Sequence, residues 1–131
     1  QPVNIALRVN PDVAVDTHKH ITTGRKGNKF GIAMERCMED YARAASMEGL
    51  DVIGLDCHIG SQLTSAAPIA EAASRAVALI DRLAEAGIPL SHLDMGGGLG
   101  IVEDPRDAGR DLLRGGAREL EELADELSRR N

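Results

Sequence analysis

Leu50-Asp51-Val52-Ile53-Gly54-Leu55-Asp56-Cys57-His58-Ile59-Gly60-Ser61-Gln62 decides the fold. The apolar run Leu50 to Cys57 has strand length, too short for a typical helix, and it breaks into a polar loop punctuated by glycine. The same pattern recurs on either side. Val3 to Val9 reads as a buried strand closed by Asn10-Pro11-Asp12, and Leu90 to Met95 as a third strand opening onto Gly96-Gly97-Gly98-Leu99-Gly100. Helical spacing lies between these strands. Ala33 to Met47 carries Met34, Met38, Tyr41, Ala42 and Ala45 three or four residues apart, and Gly49 stops it. Ala66 to Ala86 places Ile69, Ala73, Val77, Ile80 and Ala84 on one face and ends at Gly87. A third helix is expected over Asp107 to Arg130, lined by Leu113, Ala117, Leu120, Ala124 and Leu127. Gly115-Gly116 weakens its middle by roughly 1 kcal/mol per glycine relative to alanine. Val13 to Gly31 has no clear period and reads as a long loop; loops of this length inside compact domains are usually functional, often lids.

The order β-α-β-α-β-α predicts an α/β fold, a parallel sheet with right-handed crossovers. Two closures satisfy it: an open doubly wound sheet, or part of a (β/α)8 barrel. A whole barrel takes about 250 residues, so these 131 residues hold three of its β/α units. The chain opens on Gln1-Pro2 and enters a strand pattern almost at once, which reads as a portion of something longer.

Composition narrows the function classes. Apolar residues make up 43% of the chain, enough for a core, but Phe30 and Tyr41 are its only aromatics, so that core is aliphatic. A net charge of −6 disfavours nonspecific binding to nucleic acid or to anionic membranes. No stretch approaches the ~20 apolar residues of a membrane helix, and no signal peptide opens the chain. The two cysteines, Cys37 and Cys57, make no disulfide framework. A soluble, reducing, cytoplasmic setting is the expectation. One basic stretch, His18 to Lys29, carries Lys19, Arg25, Lys26 and Lys29 with no acid; it suits either an anionic ligand or a solvated loop.

In parallel α/β folds, ligands bind beyond the C-terminal ends of the strands. Arg8, Asn10 and Pro11 fall at the first such end, His58, Gly60 and Ser61 at the second, and Asp94 with the glycines at the third. Gly96 to Gly100 matches a dinucleotide fingerprint only loosely, because its last glycine position falls on Ile101. A glycine loop whose amides hold one phosphate fits better, beside the plain alternative of a strand-to-loop turn. His58 has three readings: it stacks on a planar ring, acts as acid or base, or is a strand-end histidine with a satisfied hydrogen bond. Ser61 donates to a phosphate or caps the following turn. Cys57 alternates with His58, so it faces the opposite way and reads as a small core residue. His18, His20, His58 and His92 make no metal-ligand spacing.

These residues resemble a known family. Arg8-Val9-Asn10-Pro11, Thr23-Gly24-Arg25-Lys26, Asn28-Lys29-Phe30-Gly31-Ile32, Gly54 to Gln62 and His92 to Ile101 are similar, in order and spacing, to the diaminopimelate decarboxylases. The resemblance covers roughly Val3 to Ile101. The His-Ile-Gly-Ser-Gln block and the triple glycine mark the wider fold-type III pyridoxal-phosphate decarboxylases. The Arg-Val-Asn-Pro and Lys-Phe-Gly-Ile blocks favour the diaminopimelate branch over the ornithine and arginine branches.

The resemblance implies an alanine racemase-like (β/α)8 barrel with a separate β-rich domain, working as a dimer. It implies removal of a carboxylate from the D-centre of meso-diaminopimelate to give L-lysine, with pyridoxal 5'-phosphate (PLP) as cofactor. By the same resemblance His58 stacks on the pyridine face, Ser61 and the amides of Gly96, Gly97 and Gly98 hold the phosphate, and Arg8 lies in the barrel mouth. Residues Thr22 to Lys29 are the loop beside the site. The family's imine-forming lysine precedes the position of Gln1, and Lys19, Lys26 and Lys29 do not replace it, so the 131 residues alone are expected to be inactive. The family's Glu-Pro-Gly-Arg block is not in the chain. Val102-Glu103-Asp104-Pro105 matches the family poorly, which leaves residues 102–131 assigned only as a helical end of a partial barrel domain, 1–131. The alternatives are another fold-type III PLP decarboxylase of the ornithine or arginine type, a noncatalytic PLP- or phosphate-binding module, and a structural half-barrel.

Overall fold

A computed structural model describes residues 1–14, 30–61, 63, 65–98 and 125. Its elements run β1 (Val3–Asn10), β2 (Ile32–Ala33), α1 (Met34–Ala45), β3 (Leu50–Asp56), α2 (Ala67–Glu85) and β4 (His92–Asp94). The third expected helix lies outside the described residues apart from Asp125, as does the loop over 15–29.

The four strands form one parallel sheet in the order β2-β1-β3-β4. Ile5, Leu7 and Val9 alternate with exposed neighbours along β1, and they line the face covered by the helices. Val52, Leu55 and Cys57 continue that face on and just past β3, followed by Leu93 and Met95. From α1 come Cys37, Tyr41 and Ala44, and from α2 come Ala76, Leu79 and Leu83. A bulge between Ile5 and Ala6 shifts the register against β3, so that Ala6 pairs with Gly54. A Cβ on Gly54 would stand 3.1 Å from the Cβ atoms of both Ala6 and His92, so a side chain here would press the neighbouring strands apart by a few tenths of an ångström. The buried Tyr41 hydroxyl donates to the Gly54 carbonyl at 3.0 Å, tying α1 to the shifted register.

Helix ends follow local chemistry. At the C-terminus of α2, Gly87 (φ +82) donates to the Ala84 carbonyl and Ile88 to that of Leu83, a Schellman closure that needs the left-handed glycine. Pro68 sits in its first turn, where no helical hydrogen bond is lost.

The structure differs from the sequence reading in three places. Ile32 and Ala33 form a short strand on the end of β1, with Val9 opposite Ile32; a two-residue strand has no periodicity to detect. On α1, Met34 and Met38 are partly buried and Tyr41 fully, but Cys37 and Ala44 complete the face while Ala42 and Ala45 are exposed. On α2, Ile69, Ala73 and Val77 are buried, yet the inward stripe ends on Leu79 and Leu83, with Ile80 only partly buried and Ala84 exposed. Two apolar stripes about one residue apart overlap on this helix, and the larger leucines take the sheet side.

Candidate functional site

The site is built where β1, β3 and β4 end. Cys57 donates its N–H to the Asp94 carbonyl at 2.8 Å, which carries the pairing of β3 and β4 one residue further and brings the loops that follow them together. The Leu63 N–H then donates to the Gly98 carbonyl at 2.8 Å. The His58 segment and the glycine loop, distant in sequence, therefore lie against each other.

Two glycines make that approach. A Cβ on Gly96 (φ +70) would lie 2.7 Å from His58 Nδ1 and 2.8 Å from the Cys57 carbonyl oxygen, so the imidazole borders the bare backbone of the loop. A Cβ on Gly98 (φ +111) would fall onto the Gly60 carbonyl and stand 3.3 Å from Ser61 Cα. Gly97 differs: a Cβ there would meet nothing within 4 Å, so this residue borders open space. His58 is half-buried and Ser61 exposed. The structure thus gathers His58, Ser61, Gly96, Gly97 and Gly98 at one place, a glycine backbone edge bordered by the His58 imidazole and the Ser61 backbone.

The Gly96 amide already has a partner, since it donates to Asp94 Oδ1 at 2.7 Å. This turn, closed by an aspartate two residues back, sets the direction in which the loop leaves β4. It is legible in Asp94-Met95-Gly96, and the sequence reading missed it.

Arg8 lies on β1, with β3 between it and the strand that leads into the glycines. It pairs with Asp56 across β1 and β3, with Nε 3.9 Å from Asp56 Oδ2, and its Cζ lies 5.6 Å from the centroid of the Phe30 ring. Beyond β1, the Asp12 N–H donates to Asn10 Oδ1 at 3.0 Å, and Arg75 of α2 donates to the Pro11 and Asp12 carbonyls at 2.8 and 2.7 Å. Arg75 thereby fixes the turn at the mouth of β1; a lone helical arginine gives no sequence signal for this.

Cys57 is buried, with Sγ 3.5 Å from Met95 Sδ. Burial pushes its thiol up to about 11, with Asp56 and Asp94 adding to the rise, so it is protonated at neutral pH and is no nucleophile. Burial does the same for Cys37, also raised to about 11. Among the described residues no cluster of histidine, cysteine and carboxylates could hold a metal ion, and no helix is long and apolar enough to cross a membrane.

Parallel strands alternating with helices that cover one face of the sheet, with glycine-rich loops meeting at the strand ends, define an α/β segment of consecutive β/α units. The family described as "Pyridoxal-dependent decarboxylase, pyridoxal binding domain" matches residues 1–129, and the chain belongs to it. Among curated relatives, the chain is 54% identical over 104 residues to the diaminopimelate decarboxylase of Neisseria meningitidis serogroup A, covering 79% of this chain and 26% of that protein. It is 57% identical over 97 residues to that of Pseudomonas aeruginosa, covering 74% of this chain and 23% of that protein. The crystal structure of diaminopimelate decarboxylase from M. jannaschii superposes with a TM-score of 0.73 at 35% identity, over 95% of this chain and 30% of that one. The Helicobacter pylori enzyme complexed with L-lysine gives 0.72 at 32% identity, over 92% of this chain and 31% of that one. The chain spans about a quarter of the length of the curated relatives it matches.

Proposed function

We propose that this chain is the cofactor-holding part of a diaminopimelate decarboxylase, which binds PLP and converts meso-2,6-diaminopimelate to L-lysine and CO2. The observation that carries the reading is the contact between the two loops: Gly98 on Gly60, and Gly96 against His58. A phosphate monoester needs a side-chain-free edge with donors converging on it, and a pyridine ring needs a flat neighbour. The exposed hydroxyl of Ser61, the open edge at Gly97 and the half-buried imidazole of His58 have that chemistry, so the residues present fit the group.

When bound, PLP supplies the electron sink for the carbanion left as the carboxylate departs. His58 would hold the ring by packing against it. Ser61 and the amides of Gly97 and Gly98 would hold the phosphate, while Gly96, engaged with Asp94, contributes the shape of the loop. Arg8 places a positive charge at the neighbouring strand end. In this reading the whole protein works as a cytoplasmic homodimer on a small amino-acid substrate.

The test is PLP titration of the whole protein. Ser61→Ala removes a hydroxyl donor and should weaken PLP by about tenfold, on the scale of one hydrogen bond to a charged group. Gly97→Asp sets a carboxylate into the open edge and should weaken it further. Unchanged affinity in both variants would count against the site.

A further inference from the structure

Arg8, Asp56 and Asp94 form one row across the sheet. Arg8 is in register with Asp56, and Asp56 with Asp94. They alternate with Leu7, Leu55 and Leu93 of the core and therefore occupy the sheet face away from the helices. His58 lies two residues beyond Asp56, so the row runs one step below the proposed ring position.

Within this row the single cation has two neighbours. Asp56 Oδ2 is 3.9 Å from Arg8 Nε, and the Phe30 ring lies 5.6 Å from Arg8 Cζ. Asp94 engages the Gly96 amide through Oδ1, which makes Asp56 the acid that restrains Arg8. The Arg8 side chain is 42% exposed and meets Asp56 at Nε, so the guanidinium is paired without being fully covered. A guanidinium restrained in this way loses less entropy when it meets a planar or tetrahedral oxyanion.

We propose that Asp56 is a positioning residue: with Phe30, it orients the Arg8 guanidinium to receive an anionic oxygen of the ligand bound at the strand ends. That oxygen belongs to the phosphate of the cofactor or to a carboxylate of the substrate. The inference rests on the PLP reading above.

The test uses the whole protein loaded with PLP, with Asp56→Asn, Asp56→Glu, Arg8→Ala and the Asp56→Asn/Arg8→Ala double variant. PLP affinity, the KM for diaminopimelate and kcat are measured for each, with thermal melting alongside. Asp56→Asn should weaken one of the two affinities by about twofold to fivefold, the scale of a partly exposed ion pair, and Asp56→Glu should restore part of it. A loss in PLP affinity assigns the oxygen to the cofactor; a rise in KM at full PLP occupancy assigns it to the substrate. In the Arg8→Ala background, Asp56→Asn should have no further effect, because the group it orients is gone. An equal loss in both backgrounds, or no loss beside intact Arg8, overturns the inference while leaving the cofactor reading standing. Failure of the unaltered protein to bind PLP overturns both.

Discussion

Gly98 should be the least replaceable glycine of the site, and Gly98→Ala tests why. Its Cβ would fall onto the Gly60 carbonyl oxygen, 2.9 Å from the carbonyl carbon and 3.3 Å from Ser61 Cα. All three obstacles are backbone, which cannot swing aside as a side chain does. The residue also adopts φ +111, where a side chain costs on the order of 1–3 kcal/mol. Relief requires the glycine loop to retreat from the His58–Ser61 segment, which separates Ser61 from the amides it is proposed to work beside. Losing one or two hydrogen bonds to a charged group costs about 1.5–3 kcal/mol each, so PLP affinity should fall by roughly tenfold to a hundredfold or more. Gly87→Ala is the control. It too has positive φ, +82, but its Cβ would meet nothing within 4 Å, so it should lower stability and leave PLP affinity alone. The assay is a cofactor absorbance titration of both variants beside their melting curves. Wild-type affinity in Gly98→Ala would refute the argument that close loop contact makes the site.

The two buried thiols give the fold an alkaline limit. Both are raised in the folded state to about 11, first by burial, so folding favours their protonated form. Their contribution is complete below the unfolded thiol range near 9, and is lost as pH rises from there through about 11. Urea titrations across that window should show falling stability, with a shallower fall in a Cys37→Ala/Cys57→Ala variant. Leu83 is fully buried between α2 and the sheet, and Leu83→Ala should cost about 2–5 kcal/mol in the same assay. If the loss is under about 1 kcal/mol, α2 does not pack on the sheet through this stripe.

Much of the described part of the chain is legible in its sequence. β1 and β3 stand within a residue of where their apolar runs end, because a strand covered by helices needs an apolar side chain at every second position, and Pro11 and Gly60 mark where that need stops. The meeting of His58 with the glycines follows from topology alone, since parallel neighbours end on the same side. What was not legible depends on contacts across the fold. The inward stripe of α2 is settled by the sheet, which takes Leu79 and Leu83 over Ile80 and Ala84. The clamp of Arg75 on Pro11 and Asp12 joins residues more than sixty positions apart. The Arg8–Asp56 pair exists because a bulge shifts the register by one; without it, Arg8 would face a different residue of β3.

A crystal structure of the whole protein with the cofactor bound decides whether the paired loops at the ends of β3 and β4 hold PLP. The phosphate should lie within hydrogen-bonding distance of Ser61 Oγ and of the Gly97 and Gly98 amides, with the pyridine ring on His58. A cofactor seated elsewhere, or one whose phosphate touches neither Ser61 nor the glycine loop, would contradict it.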